Sequence, residues 1–70
     1  MNRTQVSSSN IKSVGYDEPN QILEIEFKQG AVYQYKPVNV VIFNSLMTAS
    51  SIGSYFAKEI KHSFDVEKIN

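Results

Sequence analysis

The stretch Leu23-Glu24-Ile25-Glu26-Phe27-Lys28-Gln29-Gly30-Ala31-Val32-Tyr33-Gln34-Tyr35 decides the fold. Apolar and polar residues alternate on both sides of a glycine, the pattern of two strands joined by a tight turn. Two registers compete. In a two-residue Gln29-Gly30 loop, Lys28 faces Ala31 and Tyr33 lies opposite Glu26. In a three-residue Lys28-Gln29-Gly30 loop, with Gly30 left-handed in a bulge, Phe27 faces Ala31, Ile25 faces Tyr33 and Leu23 faces Tyr35. The second register gathers Leu23, Ile25, Phe27, Tyr33 and Tyr35 on one face. It leaves Glu24, Glu26, Lys28, Gln34 and Lys36 on the other, with Val32 as the exception. A slip of one residue would exchange the faces, so the register that segregates polarity is expected.

Working outward, Ile11, Val14 and Tyr16 mark an earlier strand over about 10–17, and Asp17-Glu18-Pro19-Asn20 marks a turn. The hairpin strands then cover about 22–28 and 31–36. Pro37 ends the sheet segment because it has no N–H to donate. Asn39 is suited to cap a helix over about 40–49, with Ile42, Phe43, Leu46 and Ala49 at helical spacing. Ser51 caps a second over about 52–62, striped by Ile52, Phe56 and Ile60. Gly53 near its start costs helix stability and implies a packing reason, such as a close approach. The tail from Phe64 to Ile69 alternates and fits a short fourth strand. Residues 1–8 read as a flexible polar arm and 9–70 as one domain. The expected class is α+β: a three-stranded antiparallel meander followed by two helices (β-β-β-α-α), with room for that final strand.

Seventy residues bury only about 60% of the surface their unfolded chain exposes. There is no cysteine to form a disulfide, and the lone His62 cannot build a Cys/His zinc site. No metal or other cofactor is expected. Four Phe and four Tyr are many for so small a core, so self-association into a homo-oligomer is expected, with the apolar tail residues Phe64, Val66 and Ile69 crossing to a second copy. Seven Lys/Arg balance seven Asp/Glu. That neutrality weakens the reading as a general nucleic-acid coat, for which a basic excess is usual, and leaves room for a local patch such as Lys58, Lys61 and His62. The N-terminus lacks a signal-peptide pattern and no run approaches a membrane span, so a cytoplasmic protein without membrane contact is expected.

Tyr33 and Tyr35 project from the same strand face. They either stack on a ligand base or pack beneath the helices, and a ring that is buried with its hydroxyl in a cleft serves both ends. Tyr16, Tyr55, Lys58 and His62 complete the candidate ligand-binding set, the last two beside Lys61 in a basic patch. His62 near Glu59 or Asp65 lacks a nucleophile or a second base, so no enzyme activity is expected. Glu24 and Glu26 share a face with lysines and read as a solvated mixed-charge surface. There is no Gly-rich phosphate loop.

Several ordered fragments carry a family resemblance. They are Asn10-Ile11, Val14-Gly15-Tyr16-Asp17, Leu23-x-Ile25-x-Phe27, Gly30-x-Val32-Tyr33-x-Tyr35 and Val38, followed by Leu46, Ala49-x-Ser51-x-Gly53, Tyr55-Phe56 and Ile60. Over residues 9–69 the chain resembles the KTSC domain, a small module found alone in bacterial and viral proteins and at the C-terminus of some lysyl-tRNA synthetases. The resemblance implies RNA binding centred on the Tyr-x-Tyr pair. Asn39, Ala57 and Phe64 depart from the family's usual Pro, Asn and Tyr, which removes any contact those groups make in relatives.

The expected function is therefore a non-catalytic module that recognises a nucleotide or short single-stranded RNA. Charge neutrality limits the number of phosphates it grips. Two alternatives belong to other classes. One is a small oligomeric protein, viral in the counter-defence sense, that sequesters a nucleotide-derived signal in pockets between subunits. The other is a protein-interaction unit that lends its tail strand to a partner's sheet.

Overall fold

The turn between the two central strands takes the three-residue form. In the computed structural model, which describes residues 1–70, Gly30 sits at φ 109° and its N–H donates to the carbonyl of Phe27 at 2.9 Å. The Phe27 N–H in turn donates to the Ala31 carbonyl at 2.9 Å. Leu23 then pairs with Tyr35, Glu24 with Gln34, and Ile25 with Tyr33. The polarity-segregating register is the one the protein adopts.

The sheet has five antiparallel strands in meander order. These are β1 (Arg3–Gln5), β2 (Ile11–Asp17), β3 (Ile22–Phe27), β4 (Val32–Lys36) and β5 (Asp65–Lys68). Helix α1 (Val40–Thr48) and helix α2 (Ile52–Tyr55) lie between β4 and β5, and α2 runs on as a wide π-helical turn over Phe56–Ile60. The final strand for which the tail leaves room is β5, at one edge, and β1, at the other edge, is the strand that the meander reading lacks. The tail pairs within the chain, β5 lying beside β4 with Val66 opposite Tyr35. Residues 3–5 are likewise no loose arm, because Arg3 pairs with Gly15 and Gln5 with Ser13.

Both helices start where their caps place them. The Asn39 side chain accepts the Ile42 N–H at 3.0 Å, and the Ser51 hydroxyl accepts the Ser54 N–H at 3.3 Å, each satisfying a donor the first turn leaves unpaired. The helices cover one face of the sheet. Ile11, Val14, Leu23, Ile25 and Tyr35 meet Val38, Leu46, Phe56 and Ile60 in a single core. Ile52, Phe56 and Ile60 form the expected stripe, with Ile52 half-buried at its end.

The other sheet face carries no helix, yet it is not simply solvated. Glu24 is 7% exposed, because Arg3 lies across it. The Arg3 guanidinium donates to Glu24 Oε2 at 2.6 Å, and the Gln34 amide donates to Oε1 at 2.8 Å. Arg3 reaches that far only because Gly15 stands between. A Cβ on Gly15 would lie 2.9 Å from the Asn2 carbonyl oxygen and 3.0 Å from Arg3 Cγ. The Ser13 hydroxyl donates to Glu26 at 2.7 Å. That bond above all, helped by the nearby Lys12 and Arg3 charges, holds the Glu26 carboxyl below its ordinary range. Its stabilising effect is present above the usual carboxylate pKa and is lost as pH falls through the lowered value.

Two glycine substitutions test this account. Gly30→Val forces a β-branched residue to positive φ and should cost about 1–2 kcal/mol. It does so with no steric clash, since nothing lies within 4 Å of a Cβ at that position. Gly15→Ala should cost about 1–3 kcal/mol by lifting the β1 backbone and Arg3 off the sheet. Denaturant midpoints check both, and amide exchange at residues 3–5 should rise only in the Gly15 variant. Unchanged midpoints would contradict the hairpin register and the β1 packing respectively.

Candidate nucleotide-binding cleft

The two halves of the core do not close completely at one end of the sheet. There β3, β4 and the π-helical turn enclose an open cleft of about 450 Å³. Its apolar wall is a chain of rings packed edge to face. Tyr33 meets Phe27 at a centroid distance of 5.8 Å, Phe27 meets Phe56 at 5.6 Å, and Phe56 meets Tyr35 at 5.3 Å. Such contacts fix ring orientations as well as burying area. Asn10, Gln29, Lys61 and His62 supply polar groups around the ring wall, and Val66 of β5 adds an apolar group that is 52% exposed.

The hairpin register places Tyr33 and Tyr35 on the helix face, two residues apart. Tyr35 is 4% exposed and belongs to the core, whereas Tyr33 is half-buried. Both readings of the pair therefore apply at once. Neither hydroxyl bonds within the chain, and no buried side-chain polar atom lacks a partner, so both hydroxyls reach solvent on residues that line the cleft. Burial, more than the neighbouring Tyr33, pushes the Tyr35 hydroxyl up to about 12.

The wide turn shapes the opposite wall. The Lys61 N–H donates to the Phe56 carbonyl at 2.9 Å, five residues back, the bond that defines a π-turn. Phe56 and Ile60 stay in the core while Ala57 and Lys61 line the cleft. Asn10 closes a third side. Its carbonyl accepts the Lys28 N–H at 2.9 Å, which ties the β1–β2 loop to the hairpin turn.

Of the six residues singled out in the sequence, Tyr33, Tyr35 and His62 come together here. Tyr16 does not. Its ring stacks on Phe43 of α1 at 4.5 Å, and its hydroxyl donates to the Val38 carbonyl. Desolvation first, then the Glu18 and Asp17 charges, raises its pKa. Tyr55 packs against the core and Lys58 is exposed, both outside the cleft lining. Seven of the ten lining residues are missing from that set, Phe27, Phe56 and Lys61 among them. Lys61 is legible in hindsight, four residues after Ala57 and on its side of the helix.

The raised Tyr35 pKa gives a pH signature. The fold holds this phenol neutral, while an unfolded tyrosine ionises near about 10. Its contribution is therefore complete below about pH 10 and is lost as pH rises towards about 12. Tyr35→Phe should flatten the fall in stability across that alkaline window, read from urea midpoints at several pH values. An unaltered slope would place the ring outside the core.

The sequence profile of the KTSC domain matches residues 7–64. The chain is 41% identical over 61 residues to a protein of Stutzerimonas stutzeri strain A1501, covering 87% of this chain and 86% of that one. It is also 39% identical over 60 residues to part of the lysine–tRNA ligase of Trichormus variabilis, covering 86% of this chain and 11% of the ligase. The crystal structure of a KTSC domain protein from Yersinia pestis superposes with a TM-score of 0.93 at 44% identity, covering 99% of this chain and 97% of that one. Five meander strands, a cleft walled by the Tyr-x-Tyr strand and a match over most of the chain have one explanation: this chain belongs to the KTSC domain family.

Proposed function

We propose that the protein is a non-catalytic module that binds a nucleotide or a short single-stranded RNA in the aromatic cleft. The observation that carries this reading is the ring wall itself. Tyr33, Phe27 and Phe56 present a rigid apolar surface, with the two tyrosine hydroxyls unengaged beside it. A base stacked on such a wall gains about 1–3 kcal/mol regardless of its identity. The hydroxyls, Gln29 and Asn10 offer hydrogen bonds to base edges. Lys61 is the cation of the lining, which suits one phosphate rather than a long backbone.

Two further facts support the reading. The net charge of zero argues against a ligand held chiefly through phosphates. Homologous segments also lie within ligases that charge tRNA with lysine. The cleft lining contains no carboxylate, and His62 is its sole imidazole. That is a set of groups for holding a ligand rather than for moving protons through a reaction.

Titration of a labelled single-stranded RNA of about six nucleotides, by fluorescence anisotropy at several salt concentrations, tests the proposal. Binding should weaken with salt at a logarithmic slope of about −0.7, the value for one phosphate on a single strand. Tyr33→Ala should weaken it about tenfold or more through the lost stack while the protein stays folded. No binding even at low salt would contradict the proposal.

A further inference from the structure

A second recess adjoins the aromatic cleft, and its chemistry is different. It measures about 440 Å³ and lies between the β1–β2 loop and the start of α2. Six serines line it: Ser7, Ser8 and Ser9 from the loop, and Ser50, Ser51 and Ser54 from the helix side. No lysine, arginine or histidine is among its lining residues. The two recesses share Asn10 and Ala57, so they meet along a common wall made of one amide and one methyl group.

The hydroxyls divide into those with a structural task and those without. Ser8 donates to Asn10 Oδ1 at 3.1 Å and accepts the Ile11 N–H at 3.3 Å. Ser51 caps α2 and donates to the Ser54 hydroxyl at 3.0 Å. Ser7, Ser9 and Ser50 make no side-chain bond within the chain, and the Ser54 hydroxyl keeps its proton to donate. The dividing wall is fixed in place. A Cβ on Gly53 would lie 3.0 Å from Asn10 Oδ1 and 3.3 Å from the Ser8 hydroxyl, so the glycine is what lets the loop settle against the helix. The Asn10 amide nitrogen has no partner and stands at the junction.

A dense set of neutral donors and acceptors without a cation suits a polyhydroxylated group better than a phosphate, which draws Lys, Arg or several oriented N–H groups. We infer that the two recesses form one groove, in which the aromatic half takes a base and the serine half takes the hydroxyls of the attached ribose. The groove thereby selects ribonucleotides over deoxyribonucleotides. This inference rests on the base-binding reading of the aromatic cleft and adds the sugar to it. Ala57 matters because it lines both recesses and presents only a methyl group between them. The 2′-hydroxyl, donor and acceptor together, is the group by which a protein separates RNA from DNA at a given position.

The test compares the dinucleotide of two uridines with its 2′-deoxy counterpart by titration calorimetry and by amide chemical-shift mapping. The ribo form should bind about tenfold more tightly, the effect of one hydrogen bond to a site left unpaired by the deoxy form. Shifts should extend from Tyr33 and Phe56 to Ser50 and Ser54 with the ribo form alone. The double variant Ser50→Ala/Ser54→Ala spares the Ser51 cap acceptor and should bind both dinucleotides with the weaker affinity. Ala57→Leu, at an exposed helical position, should reduce the ribo preference without unfolding the chain. Equal affinities in the native protein, or a double variant that keeps the preference, would overturn the inference and leave base binding in the aromatic cleft standing. Failure of both dinucleotides to bind would overturn the two together.

Discussion

The three-residue turn at Lys28-Gln29-Gly30 is the constraint on which the remaining structure depends. Strand side chains alternate with period two, so the turn length alone decides which set of residues meets the helices. With Gly30 at positive φ, Leu23, Ile25 and Tyr35 enter the core and Phe27 and Tyr33 border it. Glu24 and Gln34 then share the opposite face, where Arg3 completes a buried polar cluster. A turn one residue shorter would bury the two glutamates under α1 and α2, at a cost no core of this size could absorb. The cleft follows from the same choice, because its ring wall is built from residues of the core and its border.

The chain of this family member stabilises a small body by using both faces of one sheet. The helix face supplies hydrophobic burial. The open face supplies a fully paired polar cluster that joins β1, β3 and β4 across the glycine of β2. Each partner of Glu24 comes from a different strand, so the cluster clamps the sheet laterally as well as satisfying a buried carboxylate. The edges then take polar, short strands, β1 and β5, of the kind that discourage further strand addition.

Legibility in the sequence followed locality. The hairpin, both helix caps and the Ile52/Phe56/Ile60 stripe depend on residues within a few positions of one another, and the structure has all of them. Strand β1 was illegible because Arg3-Thr4-Gln5 shows no apolar alternation. Its pairing depends on Gly15 and on a carboxylate 21 residues away. The π-turn was hidden because an i, i+4 stripe fits a π-turn as well as an α-helix. For the site, Tyr33, Tyr35 and His62 were legible, the first two from register. Residue type alone marks Tyr16, Tyr55 and Lys58 as candidates, and only the packing shows that the Tyr16 hydroxyl is engaged at Val38. Phe27 and Phe56 read correctly as apolar-face residues. That their two faces leave a gap between them is a property of the assembled fold, which no local pattern carries.

The proposed function places a base against the ring wall of the cleft. Intermolecular nuclear Overhauser effects between a bound uridine nucleotide and the protein test it most directly. The account predicts contacts from the base protons to the ring protons of Tyr33 and Phe56, with the Lys61 side chain near the phosphate. Base contacts confined to other surfaces, such as Lys58 or Tyr55, or no contacts at all at saturating nucleotide, would contradict it.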